Sequence, residues 1–153
     1  MTFSATVFNI DFTGSQSADV NDNLGNAHIH AGVPATPGQN LPVVWGFIGA
    51  PFNDNNPNDV VVTPFASGVG GTVSGKWDAA EGNNTTLTAQ LANILAGRSY
   101  INFHTTQFSG GEIRGNIVVA VPEPETYALM LAGLAVVAGV ARRRGRNGRA
   151  TAA

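Results

Sequence analysis

An all-β domain with one short helix, followed by a C-terminal hydrophobic helix, is the fold class this sequence predicts. Three observations carry the prediction. Charged residues make up only 12% of the chain while Gly reaches 19 positions and Asn, Thr and Val are abundant, a composition suited to strands and turns. Short segments of strand-type alternation are separated by Gly, Pro and Asn clusters. A single uncharged apolar run, 127–141, stands just before an arginine cluster. The 153 residues therefore divide into a β domain over 1–120, a Pro-Glu-Pro linker over 121–126, a hydrophobic helix over 127–141 and a basic tail over 142–153.

The first strand is read from Phe3, Ala5 and Val7, which alternate with polar residues before the apolar phase shifts to Phe8, Ile10 and Phe12, as a β-bulge would shift it. A polar loop over 14–26 follows. In Ala27-His28-Ile29-His30-Ala31-Gly32, extended backbone puts His28 and His30 on one face and Ala27, Ile29 and Ala31 on the other. A Pro/Gly loop over 33–39 leads to a buried strand over 41–49 containing Val43, Val44, Trp45, Phe47 and Ile48. Val60, Val61 and Val62 begin another strand after a loop rich in Asn, Asp and Pro. The glycines of 68–71 make a turn into a short strand over 72–77.

Leu87, Leu91, Ile94 and Leu95 recur at helical spacing, and Gly97 follows as a stop, so 87–96 is the one helix expected within the domain. Residues 99–105 alternate again, with Ile101 and Phe103 on one face and Tyr100, Asn102 and His104 on the other. A Gly-Gly turn then returns the chain as a strand over 112–121, forming a hairpin. Glu112 and Arg114 fall on the same side of that strand, which predicts a structural ion pair.

With no cysteine, disulfides, thiolate metal sites and a cysteine nucleophile are excluded. Nucleic acid is excluded as a partner by the charge distribution. Ahead of Pro122 only Lys76, Arg98 and Arg114 oppose eight acidic residues, so the domain is near −5 and lacks a basic stripe. The chain's only three histidines are His28, His30 and His104. Three imidazoles suit zinc or copper and leave a fourth position for water, whereas the plain alternative is that they hydrogen-bond loops and pin the sheet. No serine has a nucleophile-elbow context and no carboxylate pair has a glycosidase setting, so no catalytic residue is assigned. Trp45, Trp77 and Tyr100 are candidates for stacking on sugars if exposed, with core packing the default for Trp45.

The C-terminal run is shorter than the roughly 20 residues that cross an average hydrocarbon core. It spans if Thr126 is drawn in, the bilayer thins and the arginines snorkel. Arg142, Arg143, Arg144 and Arg146 would then stay on the cytoplasmic side and set the orientation. A buried core helix is the bland alternative, and a dense arginine cluster at its end fits that poorly.

Pro122, Glu123 and Pro124, the hydrophobic run and the arginine cluster, in that order, resemble the bacterial PEP-CTERM sorting signal. The resemblance implies recognition by an exosortase in the membrane, removal of the tail and delivery to the envelope or the exopolysaccharide matrix. An exported chain should begin with a basic and then an apolar segment, yet this one begins with a strand. The expectation is that the true start lies upstream. A second resemblance rests on three ordered blocks, Ala27 to Gly32, Leu95 to Thr105 and Gly111 to Gly115, which look like those of the chordin-type CHRD domain. It implies an antiparallel β-sandwich with Greek-key-like connections, or a barrel, usually with further strands before the first block. Together these readings describe an exported, non-enzymatic binding or structural protein of the envelope or extracellular matrix, in at least transient contact with the membrane, with exopolysaccharide as a candidate ligand. The alternative is a zinc- or copper-binding β domain with redox or hydrolytic activity at His28, His30 and His104.

Overall fold

A computed structural model describes residues 1–33, 39–118, 128–138 and 142. The chain divides into two units, Met1–Val119 and Ala120–Ala153. The first carries two antiparallel sheets, one ordered β1-β5-β4 and the other β3-β2-β6-β7.

In the smaller sheet β1 (Thr2–Phe8) pairs with β5 (Gly70–Lys76), which pairs on its other side with β4 (Val61–Pro64). The alternation of β1 turns Phe3, Ala5 and Val7 inward, with Ala5 opposite Val73. The phase shift after Val7 has a different cause from the bulge expected. The strand ends at Phe8, Asn9 takes a left-handed φ of 61°, and the chain leaves the sheet. Phe8 consequently points out against Phe65, while Ile10 is buried. The side chain of the next residue, Asp11, organises the polar loop. Its carboxylate accepts from the N–H groups of Thr13, Gly14, Gln16 and Ser17 and from the Thr13 hydroxyl.

The larger sheet is formed by β2 (Leu24–Ala31), β3 (Val43–Ile48), β6 (Ser99–Thr105) and β7 (Ile113–Asn116). Opposite β2, the register of β3 runs Ala27↔Ile48, His28↔Gly46, Ile29↔Trp45 and His30↔Val43, so Phe47 and Val44 are extra residues at two irregularities. This accounts for a strand whose middle residues Val44 to Phe47 are all buried without alternation. β7 is shorter than the strand read over 112–121, because its partner β6 begins at Ser99, whose carbonyl takes the last bond, from Ile117 N–H.

The sheets face one another through Phe3, whose ring lies 5.8 Å from Trp45 and 5.1 Å from Phe47. Trp45 stacks on Trp77 at 5.6 Å, and both indoles are fully buried. Burying an aromatic ring of this size removes roughly 150–250 Å² from water, about 4–6 kcal/mol at the usual area coefficient. The buried N–H groups need acceptors, and Glu81 supplies both: its side chain accepts from Trp45 Nε1 and its backbone carbonyl from Trp77 Nε1. The same carboxylate accepts from the N–H groups of Asn55, Asn56 and Asp78, tying two loops to the core.

Helix α1 (Leu87–Leu95) forms where the spacing places it. Thr86 caps its start by accepting from Ala89 N–H, and Gly97, at φ 68°, closes its end with Arg98 N–H bonded to Asn93 O. The apolar stripe is only half used. Ile94 is buried and Leu87 packs on the core, whereas Leu91 and Leu95 face solvent.

In the second unit, residues 128–138 are helical with exposed apolar side chains, and Arg142 is exposed. Among the described residues no helix is long and apolar enough to cross a membrane, and the helix expected over 127–141 as a transmembrane or sorting segment lies partly outside the described residues. Pro122, Glu123, Pro124, Arg143, Arg144 and Arg146 lie outside the described residues.

Candidate metal centre

The three histidines meet on the outer face of the larger sheet. Strand geometry accounts for this: β2 turns Ala27, Ile29 and Ala31 into the core, so His28 and His30 necessarily share the opposite face. β6 runs antiparallel beside β2 with Tyr100 opposite His30 and Asn102 opposite His28, which places His104 one pair further along the same face, diagonal to His28. Loops cover this face, and His28, His30 and His104 are only 4%, 6% and 7% exposed.

Each ring has one nitrogen committed to a backbone carbonyl. His28 Nε2 donates to Ala50 O at 3.0 Å, His30 Nδ1 to Leu41 O at 2.7 Å and His104 Nδ1 to Ser109 O at 2.8 Å. A carbonyl only accepts, so these contacts put the proton of each neutral imidazole on the bonded nitrogen. The other nitrogens, His28 Nδ1, His30 Nε2 and His104 Nε2, are left as lone-pair acceptors. One atom from each ring forms a set lying within 4.8 Å of one another. His28 Nδ1 and His104 Nε2 approach to 3.2 Å as two acceptors, and His30 Nε2 is buried with no partner. Two ligands at about 2.0–2.1 Å from a tetrahedral ion stand roughly 3.3 Å apart, so the His28–His104 separation already matches.

Electrostatics keeps His28 and His30 neutral. Burial pushes the His28 imidazolium down to about 4, with the nearby His104 and His30 adding to the shift against the Ala50 bond. Burial also lowers His30, assisted by His104 and Arg114 and opposed by the Leu41 carbonyl. Neutral imidazoles with fixed tautomers are the ligand form a transition metal requires.

Other expected features resolve differently. Glu112 and Arg114 do not pair. The Arg114 guanidinium donates to Gln39 O and Asn40 Oδ1 and lies 4.5 Å over the Tyr100 ring, while the ion pair found among the described residues joins Lys76 to Asp78. Glu112 lies before β7 begins at Ile113, and the 39–40 segment offers Arg114 its acceptors. Trp45, Trp77 and Tyr100 are all buried, which closes the aromatic platform they might have offered to sugars. The sequence reading missed the carbonyls of Leu41, Ala50 and Ser109, which carry no residue-type signal. It also missed Gly46, whose place amid bulky apolar residues was the available clue.

A two-sheet β domain with a three-imidazole cluster under its loops is thus the class of protein defined by the geometry. The chain belongs to the CHRD domain family, whose model matches residues 1–117, and a PEP-CTERM protein-sorting motif matches residues 120–145. The sorting motif implies processing by an exosortase membrane enzyme and a secreted, cell-envelope destination. No curated protein and no solved structure shows significant similarity to the chain.

Proposed function

We propose that this chain is an envelope-delivered metal-binding domain in which His28 Nδ1, His30 Nε2 and His104 Nε2 hold a zinc or copper ion. The observation that carries the reading is the cluster of three buried imidazoles: one nitrogen of each lies within 4.8 Å of the others, each ring has one nitrogen held by a backbone carbonyl, and the free His28 Nδ1 and His104 Nε2 stand 3.2 Å apart. Histidines that only pinned loops would have no reason to bring the free nitrogens of His28 and His104 together, where two acceptors at 3.2 Å repel without a cation or proton between them. Imidazole donors suit zinc and copper, and three of them leave one position for water or another small ligand, the starting point for redox or hydrolytic chemistry. The sorting motif supports action outside the cytoplasm, in the envelope or matrix.

The test is metal content by mass spectrometry on the full chain after equilibration with zinc or copper and removal of excess ion. About one equivalent is expected, lost in a His28→Ala/His30→Ala/His104→Ala variant that retains its β-type circular dichroism. Metal-free wild-type protein, or equal metal in the folded variant, overturns the assignment.

A further inference from the structure

Arg114 and Tyr100 together act on the segment that aims His30. Arg114 is the only cation facing this side of the sheet for which a contact is seen among the described residues, and its guanidinium fork is spent on two successive residues, Gln39 O at 2.9 Å and Asn40 Oδ1 at 2.8 Å. Its Cζ also lies over the Tyr100 ring, 4.5 Å from the centroid. The Tyr100 hydroxyl accepts from the N–H of the next residue, Leu41, at 3.0 Å, and the Leu41 carbonyl is the group that accepts from His30 Nδ1. The Tyr100 ring itself lies flat on the His30 ring, 4.8 Å between centroids and 9° between planes. Three consecutive residues, 39 to 41, are therefore fixed by two side chains from β6 and β7, and the last of the three sets both the tautomer and the tilt of His30.

We infer that Tyr100 and Arg114 are positioning residues for the metal centre, setting its affinity and geometry through Leu41 without touching the ion. The inference rests on the metal-binding reading and adds to it residues that no ligand pattern would single out. The chemistry requires such support at His30 most of all. His28 and His104 already stand at ligand-pair separation, whereas His30 Nε2 is the free atom that must be brought onto the third corner. A Leu41 carbonyl allowed to drift would leave the His30 Nδ1–H without its acceptor and let the ring turn. Groups that orient a ligating histidine in this way typically change metal affinity by about 10–100-fold when removed.

Two variants that keep the local charge separate this role from general stability. Tyr100→Phe removes only the hydroxyl, and Arg114→Lys keeps the cation while losing the planar fork. Zinc affinity is measured on the full chain by competition with a chelating dye, and the visible spectrum of the cobalt-substituted protein reports ligand geometry. Both variants are expected to bind zinc about tenfold more weakly, with a weakened or shifted cobalt band, at one equivalent of metal. Gln39→Ala, which leaves the backbone acceptor of Arg114 in place, should match wild type. Wild-type zinc affinity and cobalt spectrum in both variants would overturn the positioning role while leaving the metal centre standing. Wild-type protein that binds neither zinc nor copper would overturn both.

Discussion

Gly46→Ala joins the fold to the proposed centre in one perturbation. Gly46 sits opposite His28 in β3, and a Cβ there would lie 1.8 Å from the Pro51 carbonyl oxygen and 3.0 Å from His28 Cδ2. A relaxed carbon–oxygen contact is about 3.3 Å, so either the 50–51 backbone or β3 must move by roughly 1.5 Å. Neither can do so without loss. The loop is tied back to the strand by Asn53 N–H to Gly46 O at 2.8 Å and by Gly46 N–H to Asn53 Oδ1 at 3.1 Å. The Ala50 carbonyl holds His28 Nε2 at 3.0 Å, a bond that a displacement of that size breaks. Overpacking of this kind costs about 1–3 kcal/mol, and losing the carbonyl that orients a ligand costs about 10–100-fold in metal affinity. Urea unfolding followed by tryptophan fluorescence, read beside a zinc titration, measures both. A Gly46→Ala protein within about 0.5 kcal/mol of wild type and equal in zinc affinity would refute the reasoning, since it would mean that the cradle around His28 is loose.

The remaining predictions concern the groups that hold the scaffold. Glu81→Ala should lower the unfolding free energy by about 3–5 kcal/mol, because the fully buried Trp45 Nε1 loses its acceptor and three loop N–H groups lose theirs, and a loss under about 1 kcal/mol in chemical denaturation would contradict it. Metal-free protein should lose stability as pH falls from about 6.5 toward 4. The unfolded chain takes up protons at its histidines first, while burial keeps His28 neutral down to about 4, so a urea midpoint that stays flat across that window would count against buried neutral rings. Asp11 behaves in the opposite part of the scale. Burial pushes its carboxyl up, but the N–H groups of Ser17, Thr13 and Gly14 and the Thr13 hydroxyl outweigh that and hold it at about 2. Its contribution is complete above about pH 4 and lost as pH falls to 2, so the stability gap between wild type and Asp11→Asn should narrow over that interval. Gly97→Ala should cost about 1 kcal/mol in thermal or chemical unfolding from the left-handed φ alone, as no atom lies near the added methyl group.

Much of this protein was legible in the chain, and the legible parts are local. Period-two alternation put His28 and His30 on one face, since adjacent residues of a strand must point to opposite sides. The same rule set His104 with Tyr100 and Asn102, and the helical spacing with Gly97 located α1 and its stop. The three motif blocks were enough to place the chain in its family, and the Pro-Glu-Pro, apolar and arginine order marked the sorting signal. What alternation cannot supply is a partner. Only the pairing of β2 with β6 decides that His104 lies diagonal to His28 and not a strand away, and only the loop paths bring the carbonyls of Leu41, Ala50 and Ser109 onto the rings. Arg114 shows the difference most clearly. Sequence separation pairs it with Glu112, whereas the tertiary structure gives it Gln39 and Asn40 across the sheet, because a long side chain on an edge strand reaches the nearest acceptors in space. The sequence alone determined which residues share a face. The tertiary structure decided which atoms meet there, and so turned three histidines into a candidate metal centre.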